Sequence, residues 1–127
     1  MKKVLKIFAA AFIVINVSFA QTVPVKNINV EQFKNQISND SNLVILDVRT
    51  PEELTGPLGK IEGVINIPVQ ELEKRIGELD KYKERQIAVI CRTGHRSNIG
   101  TGILLKHGFK EVENVEGGMT AYREMNK

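Results

Sequence analysis

The chain has 127 residues, with 18 Lys+Arg, 15 Asp+Glu and one cysteine. That length suits a single domain with its own core, and a lone cysteine rules out an intrachain disulfide. Three of the lysines (Lys2, Lys3, Lys6) precede residue 20; without that segment Lys+Arg is 18 less three, or 15, against 15 acids, so the formal charge of +3 falls to zero and composition gives no argument for nucleic acid or membrane binding.

Lys2, Lys3 and Lys6 form a positive start, Ile7–Ile15 is apolar, and Ser18 and Ala20 put small residues before Gln21. This order predicts an export signal over residues 1–20, a single domain over 21–127, and a periplasmic or secreted product. The apolar stretch is shorter than the roughly 20 residues of a membrane span and Asn16 interrupts it, so an uncleaved anchor is the lesser alternative. No cysteine lies near the cleavage position to carry a lipid.

Val23–Ile28 alternates weakly, as an edge strand does. Asn29 with Gln32 three residues on makes a capping-box pattern, and Val30, Phe33 and Ile37 share one face of the helix that follows. Leu43–Leu46 is an apolar run that ends at Asp47. Thr50-Pro51 reads as N-cap and first helical residue, with Glu52 and Glu53 in the first turn, and Gly56, Pro57 and Gly59 keep that helix short. Val64–Ile67 is a third strand, stopped by Pro68. Val69, Leu72, Ile76 and Leu79 recur at helical spacing, and a charged connection runs over 80–86.

Ile87–Cys91 is a β-branched-rich run of the kind found in strands buried on both faces. A polar turn, Arg92–Arg96, leads to Ser97 and a helix over 98–107 in which Ile99, Ile103 and Leu104 are expected to face the sheet. Val112–Val115 is the fifth strand; Gly117-Gly118 ends it, and Met119–Met125 is a last helix with Met119 and Tyr122 on one side. Strands alternating with helices predict a parallel sheet with helices on both faces.

The cysteine thus stands where a strand's carboxyl end meets a helix's amino end, the place where open α/β sheets bind ligands. Free backbone N–H groups in such a turn favour an anion. With the fixed charge of Arg92 and Arg96, they favour a thiolate at Cys91. Cys91 is therefore the candidate nucleophile; the plainer reading is a small apolar residue that caps a buried strand. Arg96, beside Ser97 at the helix start, is the better placed of the two arginines to grip an anion, and Thr93, Gly94 and Ser97 supply N–H groups and a cap. Gly94 would use its freedom of φ. His95 is either a surface imidazole or a proton carrier, and the former needs no special role. Asp47 and Arg49 end a strand on the same sheet edge, either as a structural pair or as part of the site. Gly100 and Gly102 start a dinucleotide-like pattern, but residue 105 is Leu. The two histidines and the cysteine lack metal-ligand spacing, and no nucleophile elbow of the G-x-S-x-G kind occurs.

Four stretches resemble the rhodanese-like domain, the fold of thiosulfate sulfurtransferases. They are Leu46-Asp47-Val48-Arg49-Thr50-Pro51-Glu52-Glu53, Ile61-Glu62-Gly63-Val64-Ile65-Asn66-Ile67-Pro68, Cys91-Arg92-Thr93-Gly94-His95-Arg96-Ser97 and Glu116-Gly117-Gly118-Met119-Thr120-Ala121-Tyr122. The resemblance implies a five-stranded parallel sheet flanked by helices, and a Cys91 that carries sulfur as a persulfide cradled by the N–H groups of its loop. Only four residues separate Cys91 from Arg96, similar to the sulfurtransferase loop; cysteine phosphatases of a related fold use a longer one. Lys60, Tyr122 and the Gly56–Gly59 connection depart from the common pattern of the family. The expectation is an exported, monomeric sulfurtransferase that takes sulfur from thiosulfate or a persulfide or polysulfide donor and passes it to cyanide or a thiol, including a protein thiol. It needs no metal or organic cofactor, and binds neither nucleic acid nor, once the signal is removed, a membrane. Its rivals are a non-catalytic anion- or protein-binding module and a cysteine phosphatase or arsenate reductase.

Overall fold

The structure, a computed structural model, describes residues 9–11, 13–15 and 23–127. The expected export signal and its cleavage position lie for the most part outside the described residues. The elements in order are β1 (Lys26–Ile28), α1 (Val30–Asn39), β2 (Val44–Asp47), α2 (Pro51–Leu54), β3 (Ile65–Asn66), α3 (Val69–Leu72), a 3₁₀ segment (Ile76–Tyr82), β4 (Gln86–Ile90), α4 (His95–Lys106), β5 (Glu111–Val115) and α5 (Gly118–Glu124). The five strands form one parallel sheet in the order β1-β5-β4-β2-β3.

Alternation along the central strands divides the core in two. Val44, Leu46, Ile87 and Val89 point to one face, where they meet Leu72, Leu79 and Leu104 from α3, the 3₁₀ segment and α4. Ile45, Ala88 and Ile90 point to the other, where they meet Phe33 of α1 and Met119 of α5. Phe33 and Tyr122 close that face with ring centroids 5.9 Å apart. The expected five-stranded parallel sheet with helices on both faces is the observed fold.

Local signals set several boundaries. Asn29 Oδ1 accepts from Gln32 N at 2.8 Å, and Gln32 Oε1 accepts from Asn29 N at 2.9 Å, so the capping box is complete. Pro51 opens α2 after Thr50, as its fixed φ allows.

Two expectations need correction. The Val69–Leu79 stretch is not one helix: α3 ends at Leu72, and the chain tightens into i→i+3 bonds such as Glu78 N to Arg75 O at 3.0 Å. Gly77, a poor helix former, sits in that second part, yet Leu72 and Leu79 both reach the core. Ile99 does not face the sheet; it is 46% exposed. The helix begins at His95 rather than after Ser97, and this phase turns Ser97, Gly100, Thr101 and Leu104 inward. The inward residues are small because α4 lies close to the sheet: a Cβ on Gly100 would stand 3.4 Å from both Val48 Cγ1 and Val89 Cγ1. That contact is the use of Gly100.

The topology fixes where a site can form. The connection from β4 runs towards β5, whereas that from β2 runs towards β3 on the other side. Neighbouring strands whose connections diverge leave a crevice at their carboxyl ends. Here it lies between the segments that follow Asp47 and Ile90.

Candidate active site

Cys91 directly follows β4 and is 1% exposed. Its loop turns on Gly94, whose φ of 103° lies in the left-handed region that favours glycine. Gly94 is the residue that caps α4, so His95, Arg96 and Ser97 form the first helical turn. Gly94 N donates to Cys91 Sγ at 3.1 Å, and Ser97 Oγ lies 3.2 Å from the same sulfur. When Cys91 is a thiolate, the Ser97 hydroxyl can only be the donor. Burial pushes the thiol up, but the Ser97 hydroxyl and the N–H groups of Ser97, Gly94 and Thr93 outweigh it, and the Cys91 pKa falls below its ordinary value.

This lowering has a direct measure. Ultraviolet thiolate absorbance, with Cys91→Ser subtracted, is expected to titrate below the ordinary cysteine range of about 8.5. Ser97→Ala should move the midpoint upward. A midpoint at or above the ordinary value in the unsubstituted protein would show that burial wins.

The start of α5 supports the loop from beneath. Met119 N donates to Cys91 O at 2.8 Å and Thr120 N to Arg92 O at 3.0 Å. Gly118 makes this approach possible: its φ is +55°, and a Cβ there would stand 2.5 Å from Cys91 O and 2.6 Å from Arg92 C. The sequence shows the glycine pair only as the end of β5; its contact with the cysteine loop joins positions 27 apart in the chain.

Arg96 is not the open anion grip that the sequence suggests, and Arg49 takes the structural one of its two expected roles. Arg96 is engaged by Glu53, with Nη1 to Oε1 at 2.6 Å and Nη2 to Oε2 at 2.9 Å. The Arg96 guanidinium holds the Glu53 carboxyl at about 2, with help from Thr50 N, so the carboxylate is charged at neutral pH. The Arg96 cation is itself stabilised by Glu53 first and also, at longer range, by Cys91 and Asp47. Its charge is therefore felt at the sulfur while its fork is occupied. Nothing in the sequence marks Glu53 as this partner beyond its place in the first turn of α2.

Arg49 is 1% exposed and pairs with the fully buried Asp47: Nη2 to Oδ2 spans 2.7 Å and Nε to Oδ1 3.0 Å. Its other bonds go to the carbonyls of Gly59 at 2.8 Å and Glu53 at 3.3 Å. Of the two readings of this pair, the structural one describes its hydrogen bonding. Arg49 is a brace, not an open anion grip, although one side of it borders the crevice. Arg92, Thr93 and His95 are exposed on the loop and first helical turn. The crevice is an open cleft of about 310 Å³, bordered by Arg49, Glu53, Pro57, Leu58, Arg92 and Thr120.

A buried thiol at a strand end, ringed by N–H donors from a glycine turn and a helix start, can hold a sulfur anion. Residues 29–125 match the family model described as the rhodanese-like domain. The chain belongs to the rhodanese-like domain family. It is 42% identical over 100 residues to the Bacillus subtilis protein named "putative sulfur carrier protein YrkF". That match covers 79% of this chain and 51% of the relative, so the chain spans about half of that protein's length. It is 28% identical over 98 residues to a sulfurtransferase of Allochromatium vinosum, covering 77% of this chain and 88% of that one. Among solved rhodanese-like structures, a rhodanese-related protein from Thermoplasma volcanium superposes with a TM-score of 0.69 at 33% identity, covering 79% of this chain and 92% of that one.

Proposed function

We propose that this rhodanese-like domain is a sulfurtransferase that carries sulfane sulfur on Cys91. The Cys91 thiolate attacks the outer sulfur of thiosulfate or of another sulfane donor. The donor's S–S bond breaks, sulfite or a thiolate leaves with the electron pair, and Cys91 keeps a persulfide. Cyanide or an acceptor thiolate then takes the outer sulfur and restores the Cys91 thiolate. Two half-reactions through a covalent intermediate give ping-pong kinetics.

The observation that carries this reading is the cradle itself. The cysteine sulfur receives backbone and hydroxyl donors, while the one guanidinium at the end of the loop is occupied by Glu53. An oxyanion such as phosphate is best gripped by an open bidentate arginine; a single persulfide sulfur needs only the N–H donors. Support also comes from the names of the relatives, one a sulfurtransferase and one a sulfur carrier. The N-terminal pattern supports action outside the cytoplasm.

Intact-mass measurement tests the proposal. Thiosulfate should add one sulfur atom to the protein, cyanide should remove it, and Cys91→Ser should gain nothing. No gain from thiosulfate or a polysulfide, on protein with a demonstrated free thiol, would sink the sulfur-transfer reading in favour of an anion-binding module. Hydrolysis of aryl phosphates would favour a phosphatase instead. The same masses, taken on protein recovered from a bacterial periplasm, read whether residues 1–20 have been removed.

A further inference from the structure

Arg96 stands in the first turn of α4 and Glu53 in α2, and the carboxylate of one fills the fork of the other. Nη1 donates to Oε1 at 2.6 Å and Nη2 to Oε2 at 2.9 Å. The two side chains are 28% and 29% exposed, so a dissolved anion can reach the pair. Glu53 also borders the cleft, together with Arg49 and Arg92. The charge of Arg49 is balanced by Asp47. Arg92 is exposed and has no acidic partner among the described residues. A solvated side chain of that kind offers a screened charge and no fixed fork. The one guanidinium at the end of the cysteine loop is thus already taken by an anion of the protein's own.

That anion is held where it stands. Thr50 N donates to Glu53 Oε1 at 3.2 Å, and Thr50 Oγ1 donates to it at 3.3 Å. Two donors from Thr50 and two from Arg96 share the carboxylate. A free oxyanion that seeks the fork must displace a tethered rival, which acts at an effective concentration in the millimolar range or above. Once displaced, Glu53 leaves its negative charge beside the newcomer. A donor whose leaving group is a thiol makes no such demand, because its sulfur needs only the N–H groups and hydroxyl around Cys91.

We infer that Glu53 is a specificity-determining residue: by occupying Arg96 it sets the site against donors whose leaving group is an oxyanion and in favour of those whose leaving group is a thiol. The inference rests on the sulfur-transfer reading of Cys91. Glu53 touches none of the reacting atoms and acts through Arg96. Glu53→Gln separates this role from that of a mere tie between α2 and α4. The amide keeps an oxygen for Thr50 N, but gives up the charge and one of the two contacts with Arg96. A broken tie only loses function, whereas a removed filter gains affinity for oxyanions.

Calorimetry with inorganic sulfate reads the fork apart from turnover. The unsubstituted protein should bind sulfate weakly, and Glu53→Gln about tenfold more tightly. Glu53→Gln/Arg96→Lys should lose that gain, because an ammonium offers no fork. Sulfur loading on Cys91, followed by intact mass across donor concentrations, reads the consequence. In Glu53→Gln the half-saturating concentration of thiosulfate should fall about tenfold with the maximal rate little changed, while loading from glutathione persulfide changes less than about threefold. Unchanged sulfate affinity in Glu53→Gln, a gain that survives Arg96→Lys, or equal losses with both donors would overturn the proposal. So would submillimolar sulfate binding by the unsubstituted protein, a result that requires no variant to fold. If neither donor loads sulfur on Cys91, the sulfur-transfer reading fails while sulfate calorimetry still judges Glu53.

Discussion

Arg49→Met is expected to destabilise the domain by about 3–5 kcal/mol, the usual consequence of stranding one member of a buried ion pair. Asp47 is fully buried, and three of its close contacts are with Arg49 Nε and Nη2. Without the guanidinium it must either stay charged without a counterion or take up a proton, and both cost free energy. Arg49 also braces Gly59 O and Glu53 O, so the turn beside the cleft loosens with it. Against a total stability of about 5–15 kcal/mol, the loss is a substantial fraction of what holds the domain folded. Urea unfolding measures it. The double variant Asp47→Leu/Arg49→Met should recover much of the loss, because no charge is then left behind. A cost below about 1 kcal/mol for Arg49→Met, typical of exposed pairs, would show that the pair is not the brace described.

Gly118→Ala should have the second large effect, and this one is read at the sulfur. The added Cβ would fall 2.5 Å from Cys91 O and 2.7 Å from Arg92 O, both backbone atoms that cannot swing aside. Either α5 withdraws or the cysteine loop shifts, and in both cases the bonds from Met119 N and Thr120 N are lost. Gly63 supplies the control. Its φ is +80°, but nothing lies within 4 Å of a Cβ placed there. Gly63→Ala therefore reports the conformational strain alone, on the order of 1 kcal/mol. Gly118→Ala should cost clearly more in thermal unfolding and reduce persulfide loading by at least tenfold, while Gly63→Ala loads normally. Equal stability losses with full loading in both variants would show that α5 does not support the loop.

What could be read from the sequence follows the range of the interactions. The Asn29–Gln32 capping box and the Thr50-Pro51 helix start are made by residues within three or four positions, so their signals are complete locally. β4 was legible because a strand covered on both faces is apolar at every position. The Cys91 loop was legible because the strand end, the glycine turn and the helix start are contiguous. Hydrophobicity alone misplaces the phase of α4, because Ile99 is apolar whereas most of the sheet-facing positions are small, as the close approach of the helix to the sheet requires. The engagement of Arg96 by Glu53 lay beyond reach, since 43 positions separate them and an exposed acid in a first helical turn is ordinary. So did the role of Gly118, which looks like any strand breaker until the helix after it is docked. The sequence does not decide between the two roles of Arg49; only its geometry identifies it as a brace.

The support that α5 gives the cysteine loop makes the chemistry of the sulfur depend on a helix whose first residue lies 27 positions away in the chain. Wherever α5 is undocked, the carbonyls of Cys91 and Arg92 lose their amide partners from Met119 and Thr120. The loop then no longer gathers its N–H donors around the sulfur, and the thiolate loses that stabilisation. Local opening of α5 is therefore expected to raise the Cys91 pKa before the domain as a whole unfolds.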